Sequence, residues 1–257
     1  MTTDKLYEIL VFFGEHMRKI IYSLFMVVLL SPGIAAKPKG LVEEVVPTSK
    51  TIIIGVVDTG FSSALVDGSV KICSGGHYNV TTSSPGIGMT HPHGSIVAQA
   101  IGEYMKKVDY CLVIVTAGPS HEISKAAAKG LEYLVKMKIK FANMSTEGPD
   151  YDYDEYDAIQ SFVSQGGKLF LAAGNRTLNL NEVCNSYPAC YGIPGTVVVG
   201  ALEEKHKTDY TNYGSIVTRW EDGRITVKGD DWNGTSFAAP RALATYVRYL
   251  ASHPERL

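Results

Sequence analysis

The stretch TIIIGVV, residues 51–57, runs directly into Asp58, Thr59 and Gly60, and its reading decides the fold. Seven consecutive apolar or glycine-compatible positions, rich in β-branched side chains, suit a strand buried on both faces. Four further runs read alike: CLVIVTA (111–117), KIKFANM (138–144), KLFLAA (168–173) and TVVVGA (196–201). Between them the apolar residues change period. Ile123, Ala127, Leu131, Leu134 and Val135 fall on one helical face, as do Ile159, Phe162 and Val163 ahead of the stop signal Gly166-Gly167. Doubly buried strands alternating with helices predict an α/β fold: a three-layer α/β/α sandwich with a mostly parallel, doubly wound sheet. Such sheets bind ligands beyond the carboxyl ends of their strands, so the residues after each run are the candidates for chemistry.

Of 257 residues, 45% are hydrophobic and the formal charge is -2, which allows one sizeable core and argues against a nucleic-acid partner. The segment MRKIIYSLFMVVLLSPGIAA, residues 17–36, has two basic residues, an apolar run to Leu30, then Pro32 and small residues. That is the pattern of a secretory signal peptide, cleaved after Ala35 or Ala36, with Met17 as an alternative start. LYEILVFF, residues 6–13, keeps open an uncleaved anchor facing outside the cytoplasm. The expected organisation is a signal or anchor over 1–36, a short linker or minimal pro-segment over 37–50, and one domain over 51–257. Export to a secreted or periplasmic location permits disulfides. A bridge across the loop CNSYPAC would join Cys184 to Cys190 and leave Cys73 with Cys111, although four cysteines allow three pairings and small buried thiols are the other reading. No paired CxxC spacing points to zinc.

Three strand ends carry unusual residues: Asp58, Gly174-Asn175 and Ser145. Two helix starts do as well: His93-Gly94 in HPHGSIVAQAI, and Thr235-Ser236 in NGTSFAAP. Each taken alone has a structural explanation, as a cap or a turn residue. Together they fill every role of nucleophilic acyl transfer. A serine hydroxyl needs a base, an imidazole can be that base near neutral pH, a buried carboxylate fixes the imidazole tautomer, and a donor must face the developing oxyanion. Ser236, His93, Asp58 and Asn175 are one candidate for each. His91 is the rival base, with a solvated loop residue as its alternative reading.

At these residues the chain resembles the subtilisin-like serine proteases, the subtilases of peptidase family S8. VVDTG is similar to the family's Asp motif, HPHGSIVA to its His motif, AAGN to its oxyanion motif and NGTSFAAP to its nucleophile motif. FANMS resembles the strand that leads into the specificity pocket. The order Asp, His, Ser is that of subtilisin. The resemblance spans about residues 51–252. It implies a subtilisin-like fold and an exported serine endopeptidase acting on peptide or protein substrates, with Asp58, His93 and Ser236 as triad. Asn175 and the Ser236 N–H would form the oxyanion hole. It also implies a pocket with Ser145, Thr146 and Glu147 on one wall, Ala172, Ala173 and Gly174 on the other and Arg176 at the rim. Residues 118–122, including Gly118 and Ser120, would form the substrate-pairing edge. Ala238 and Ala239 suit close packing of the last helix, with Pro240 in its first turn.

The departures from the family pattern matter too. Glu147 stands where a glycine is usual and narrows or closes the pocket; it either pairs with Arg176 or leaves Arg176 to favour an acidic P1 residue. Pro119 removes a backbone donor from the edge. The segment from Gly94 to Val108 leaves no room for the family's calcium loop, so no cofactor or metal is expected. The acidic run DYDYDEYD, 150–157, lacks EF-hand spacing and reads as a solvated, negatively charged helix start. With few residues ahead of the first strand, folding proceeds without a long pro-domain or uses a separate chaperone or inhibitor chain. Two readings stay beside the endopeptidase: a narrow-specificity peptide processor or transamidase, and a non-catalytic binding protein of the same fold.

Overall fold

The computed structural model of the protein describes residues 42–118 and 123–256. The expected signal or anchor, and all but Gly118 of the expected substrate-pairing edge (Ser120 included), lie outside the described residues. In chain order the strands are β1 (Glu43–Val45), β2 (Ile52–Asp58), β3 (Lys71–Cys73), β4 (Tyr78–Asn79), β5 (Ser84–Pro85), β6 (Tyr110–Thr116), β7 (Phe141–Met144), β8 (Lys168–Ala172), β9 (Thr196–Glu203), β10 (His206–Lys207), β11 (Arg219–Asp222), β12 (Arg224–Val227) and β13 (Asp230–Asn233). The helices are α1 (His93–Tyr104), α2 (Ile123–Lys136), α3 (Tyr153–Ser164) and α4 (Thr235–Ala251).

The sheet is mostly parallel, and its central order is β1-β3-β6-β2-β7-β8-β9. The opening stretch lies at its middle: β2 pairs in parallel with β6 on one side and β7 on the other, and Asp58 lies level with Thr116 at the carboxyl ends. After β2 the chain runs out to β3, returns through α1 to β6 beside β2, and then crosses over through α2 to β7 on the other side of β2. The doubly buried strand pattern has its cause in two separate cores. On one face Ile54, Val56, Leu112 and Ile114 pack with Ile96, Ile101, Leu243 and Val247 of α1 and α4. On the other face Val57, Val113, Leu169 and Leu171 pack with Leu131, Leu134, Ile159 and Phe162 of α2 and α3. This is the expected three-layer arrangement.

Away from the strand ends, the structure differs from the sequence reading at residues 37–50 and at Glu155. Residues 37–50, read as a linker or minimal pro-segment, contain β1, which pairs in parallel with β3 and lays Val45 on the second core. The three-residue strand EEV is too short and too charged to show strand periodicity, and only its pairing reveals it. The acidic run does start a helix, with Asp152 as N-cap accepting the Glu155 N–H at 2.9 Å and Asp154 exposed in the first turn. Yet Glu155 is not solvated: it is 1% exposed. Tyr191 takes over the return contact of a capping box. Its hydroxyl oxygen accepts the Asp152 N–H at 3.1 Å and lies 2.8 Å from Glu155 Oε2. Burial raises the Glu155 carboxyl to about 7, further helped by the nearby Asp152 charge and opposed by the Tyr191 hydrogen bond.

Both disulfides form, Cys73–Cys111 between neighbouring strands and Cys184–Cys190 across the short loop. No helix among the described residues is long and apolar enough to cross a membrane.

Candidate active site

The residues singled out at strand ends and helix starts meet at the carboxyl edge of the central strands. Asp58, the last residue of β2, is 1% exposed. Its Oδ1 accepts the Thr59 N–H at 2.7 Å and faces His93 Nδ1 at 2.8 Å. An ionised carboxylate only accepts, so the His93 proton sits on Nδ1 and the Nε2 lone pair is left free. Asp58 Oδ2 is buried without a protein partner. Burial alone would lower the His93 pKa, but the Asp58 charge and hydrogen bond outweigh it, and the ring titrates above its ordinary value of 6.5.

The helix start is shaped to make that contact. A Cβ on Gly94 would fall 2.3 Å from the Gly60 carbonyl oxygen and 3.1 Å from Asp58 Oδ1, so only glycine lets α1 approach the turn after β2. Thr59, which the sequence reading did not single out, ties the two together: its hydroxyl donates to the His91 carbonyl at 2.8 Å and accepts the Gly94 N–H at 3.0 Å. His91 is exposed, and its Nδ1 accepts the His93 N–H at 3.2 Å. The rival histidine therefore faces the His93 backbone, and His93 holds the carboxylate.

Ser236 is the second residue of α4 and is half-buried. The next residue, Phe237, packs against the His93 ring with centroids 5.6 Å apart. No hydrogen bond joins Ser236 Oγ to His93 here; contacts of this kind commonly tighten only when substrate is bound. Pro240 is the sixth helical residue and not in the first turn as expected. Lacking an N–H, it leaves the Ser236 carbonyl without its helical donor. Ser145 fills the vacancy: its hydroxyl donates to the Ser236 carbonyl at 2.9 Å and is itself held by Asn143 Nδ2 at 2.9 Å. Ser145, read as pocket wall, thus anchors the first turn of the serine-bearing helix.

Asn175 follows β8. Its Oδ1 accepts the Thr235 N–H at 2.8 Å and the Thr235 hydroxyl at 3.0 Å. A backbone N–H can only donate, so the amide orientation is fixed and Nδ2 is left as a donor near the start of α4. The Thr235 hydroxyl in turn accepts the Gly174 N–H at 3.1 Å, which joins the turn after β8 to α4.

Glu147 and Arg176 pair with each other, Nε to Oε1 at 2.8 Å. Glu147 Oε1 also accepts the Ser186 hydroxyl at 2.9 Å, and Oε2 accepts the Asn175 N–H at 3.1 Å. Arg176 Nη2 donates to the Asn185 carbonyl at 2.5 Å. Of the two expected arrangements, the structure holds the Glu147–Arg176 pair, with Arg176 Nε and Nη2 engaged. Gly174 adopts φ +101°, and a Cβ there would lie within 2.3 Å of Asn212 Nδ2, 2.4 Å of Ser186 Oγ and 2.5 Å of Glu147 Oε1. Asn212, fully buried, holds the same turn through the Arg176 and Leu178 N–H groups and the Ala173 carbonyl. Neither Ser186 nor Asn212 carries a local sequence signal; both lie in polar stretches that read as loops. Thr146, Ala172 and Ala173 are buried beside these groups, and Gly118 is buried at the end of β6.

The family model of the subtilases (Peptidase S8) matches residues 49–255. The chain belongs to the subtilase family. Among curated subtilases it is 25% identical over 224 residues to subtilisin amylosacchariticus of Bacillus subtilis subsp. amylosacchariticus, covering 80% of this chain and 57% of that one. It matches the subtilisin of Bacillus pumilus at the same identity, over 80% of this chain and 79% of the relative. The chain thus spans little more than half the length of the first of these subtilases. A solved cold-adapted subtilisin-like serine proteinase shares the fold at a TM-score of 0.64 and 22% identity, over 81% of this chain and 78% of that one.

Proposed function

We propose that this subtilase is a serine endopeptidase that hydrolyses peptide bonds in an oxidising, exported setting. The observation that carries the reading is the 2.8 Å contact between His93 Nδ1 and buried Asp58, with the His93 ring packed on the helix that bears Ser236. In the proposed reaction Ser236 Oγ attacks the carbonyl carbon while its proton passes to His93 Nε2. Asp58 keeps the other ring proton on Nδ1 and stabilises the imidazolium that forms. Asn175 Nδ2 and the Ser236 N–H receive the oxyanion, helped by the positive end of α4. Collapse breaks the C–N bond, and His93 returns the proton to the leaving amine. Water then attacks the acyl ester by the same route in reverse. None of these steps calls on a metal ion. The two disulfides support export, because such bonds persist in oxidising compartments.

A fluorophosphonate probe tests the reading directly. The folded protein should be labelled at Ser236, and Ser236→Ala, with an unchanged circular dichroism spectrum, should take up no label and cleave no peptide. Absence of labelling in the wild type, or equal labelling in the variant, overturns the assignment.

A further inference from the structure

We propose that Glu147 is a specificity-determining residue that restricts the amino acid on the acyl side of the cleaved bond to glycine or alanine. This rests on the endopeptidase reading and adds the substrate class. A carbonyl within reach of both Ser236 Oγ and Asn175 Nδ2 places its own residue over the segments that follow β7 and β8. The first holds Ser145, bonded to the Ser236 carbonyl, and the second holds Asn175, bonded to Thr235. The side chain of that residue has to enter between these segments. The Glu147 carboxylate already stands there. It bridges the gap by accepting the Asn175 N–H at 3.1 Å and the Arg176 Nε–H at 2.8 Å, and it lies 2.9 Å from the Ser186 hydroxyl, whose one hydrogen it shares with the Ala173 carbonyl.

The carboxylate packs closely on the turn after β8. Glu147 Oε1 would be 2.5 Å from a methyl group placed on Gly174, closer than real Cβ contacts come. Nor can the carboxylate swing away without loss. It would forfeit the bonds from the Asn175 N–H and the Arg176 Nε and would leave Arg176 held only by the Asn185 carbonyl. A large or branched substrate side chain has to displace this network, whereas a hydrogen or a methyl group does not.

The test is a set of quenched peptides that vary only at the acyl-side residue, with cleavage positions mapped by mass spectrometry. For the wild type, kcat/KM for glycine or alanine should exceed that for leucine or phenylalanine by at least about 100-fold. Glu147→Ala should bring that ratio within about tenfold, and using a ratio cancels any general loss of turnover from a loosened Asn175. Glu147→Gln keeps the volume but accepts at one oxygen only, so its small-residue preference should lie between that of the wild type and that of Glu147→Ala. Should Glu147→Ala fail to fold, the wild-type and Glu147→Gln profiles still decide. Efficient wild-type cleavage after leucine, phenylalanine or lysine overturns the inference, as does a Glu147→Ala profile as narrow as that of the wild type. Fluorophosphonate labelling of Ser236 separates the two levels. Labelling with cleavage after large residues removes only this inference, while no labelling removes the endopeptidase reading with it.

Discussion

Replacing Glu155 with glutamine should make the protein more stable at alkaline pH and leave it nearly unchanged at acid pH. The reason lies in how the protons are shared. Tyr191 Oη accepts the Asp152 N–H and lies 3.0 Å from the Asp152 carbonyl and 2.8 Å from Glu155 Oε2. With Glu155 protonated, the acid donates to Tyr191 and Tyr191 donates to the Asp152 carbonyl, so each hydrogen serves one acceptor. With Glu155 ionised, the one Tyr191 hydrogen is contested, and a charge is buried with Oε1 unpartnered. Burial therefore raises the carboxyl from 4.5 to about 7. Because the folded state holds this proton more tightly than the unfolded chain, its contribution is complete below pH 4.5 and is lost as pH rises through about 7. The loss corresponds to about 3 kcal/mol. Glutamine supplies an N–H in place of the acid O–H and does not titrate. The effect of Glu155→Gln at pH 8 minus its effect at pH 4 should thus be about 3 kcal/mol of stabilisation. Urea unfolding in a Ser236→Ala background, which prevents self-digestion, reads this as a midpoint difference of about 1 M or more. Packing costs of the substitution cancel between the two pH values. A difference below about 1 kcal/mol would refute the reasoning, because a shift of less than one pH unit is then all that burial imposes.

Three other outcomes are expected. Since Asp58 holds His93 above its ordinary pKa, the acid limb of kcat/KM should have its midpoint above pH 6.5, and Asp58→Asn should move it lower while reducing kcat by roughly 10⁴, the loss seen for the same change in another Ser-His-Asp protease; an unmoved limb would show that some other group controls the rate. Asn175→Ala should lower kcat by about 10²–10³ with little change in KM, a range that itself comes from subtilisin. Thr235→Val, which removes the hydroxyl bond to Asn175 Oδ1 and the acceptor of the Gly174 N–H but keeps the backbone bond to Asn175, should cost about tenfold, and steady-state kinetics that rank the two the other way would place the oxyanion donor elsewhere. Removing the Cys73–Cys111 pair, which closes a 38-residue separation, should cost about 4 kcal/mol in urea unfolding, against about 2 kcal/mol for Cys184–Cys190 at a separation of 6; equal losses would contradict a loop-entropy origin.

The α/β/α architecture was legible because a strand covered by helices on both faces has no polar positions to break its apolar run, and β2, β6, β8 and β9 all show this. Asp58, His93, Asn175 and Ser236 were legible because the fold's chemistry gathers at strand ends and helix starts, and those boundaries are local features of the chain. β1 was not legible, since three residues in a charged segment become a strand only by pairing with β3. Glu155 was misread as solvated because neighbouring Asp154 and Asp157 are exposed and nothing local distinguishes it; Tyr191, 36 positions later, decides its burial.

The sequence by itself determined the α/β/α class, the five central strands of the sheet and the four candidate residues that the structure brings to its edge. What only the tertiary structure decided is how that edge is furnished. Glu147 could have left Arg176 free or bound it, and the answer depends on side chains separated by 29 positions and on Ser186 beyond them. Ser145 could have been mere pocket wall, and it became the partner of a carbonyl left open by Pro240, 91 positions from it to Ser236. Chain-local patterns fix where a backbone goes, because period and propensity are properties of neighbours. The partner of a polar side chain is set by whichever distant group arrives with a matching donor or acceptor, and that match exists only once the strands are paired and the helices packed.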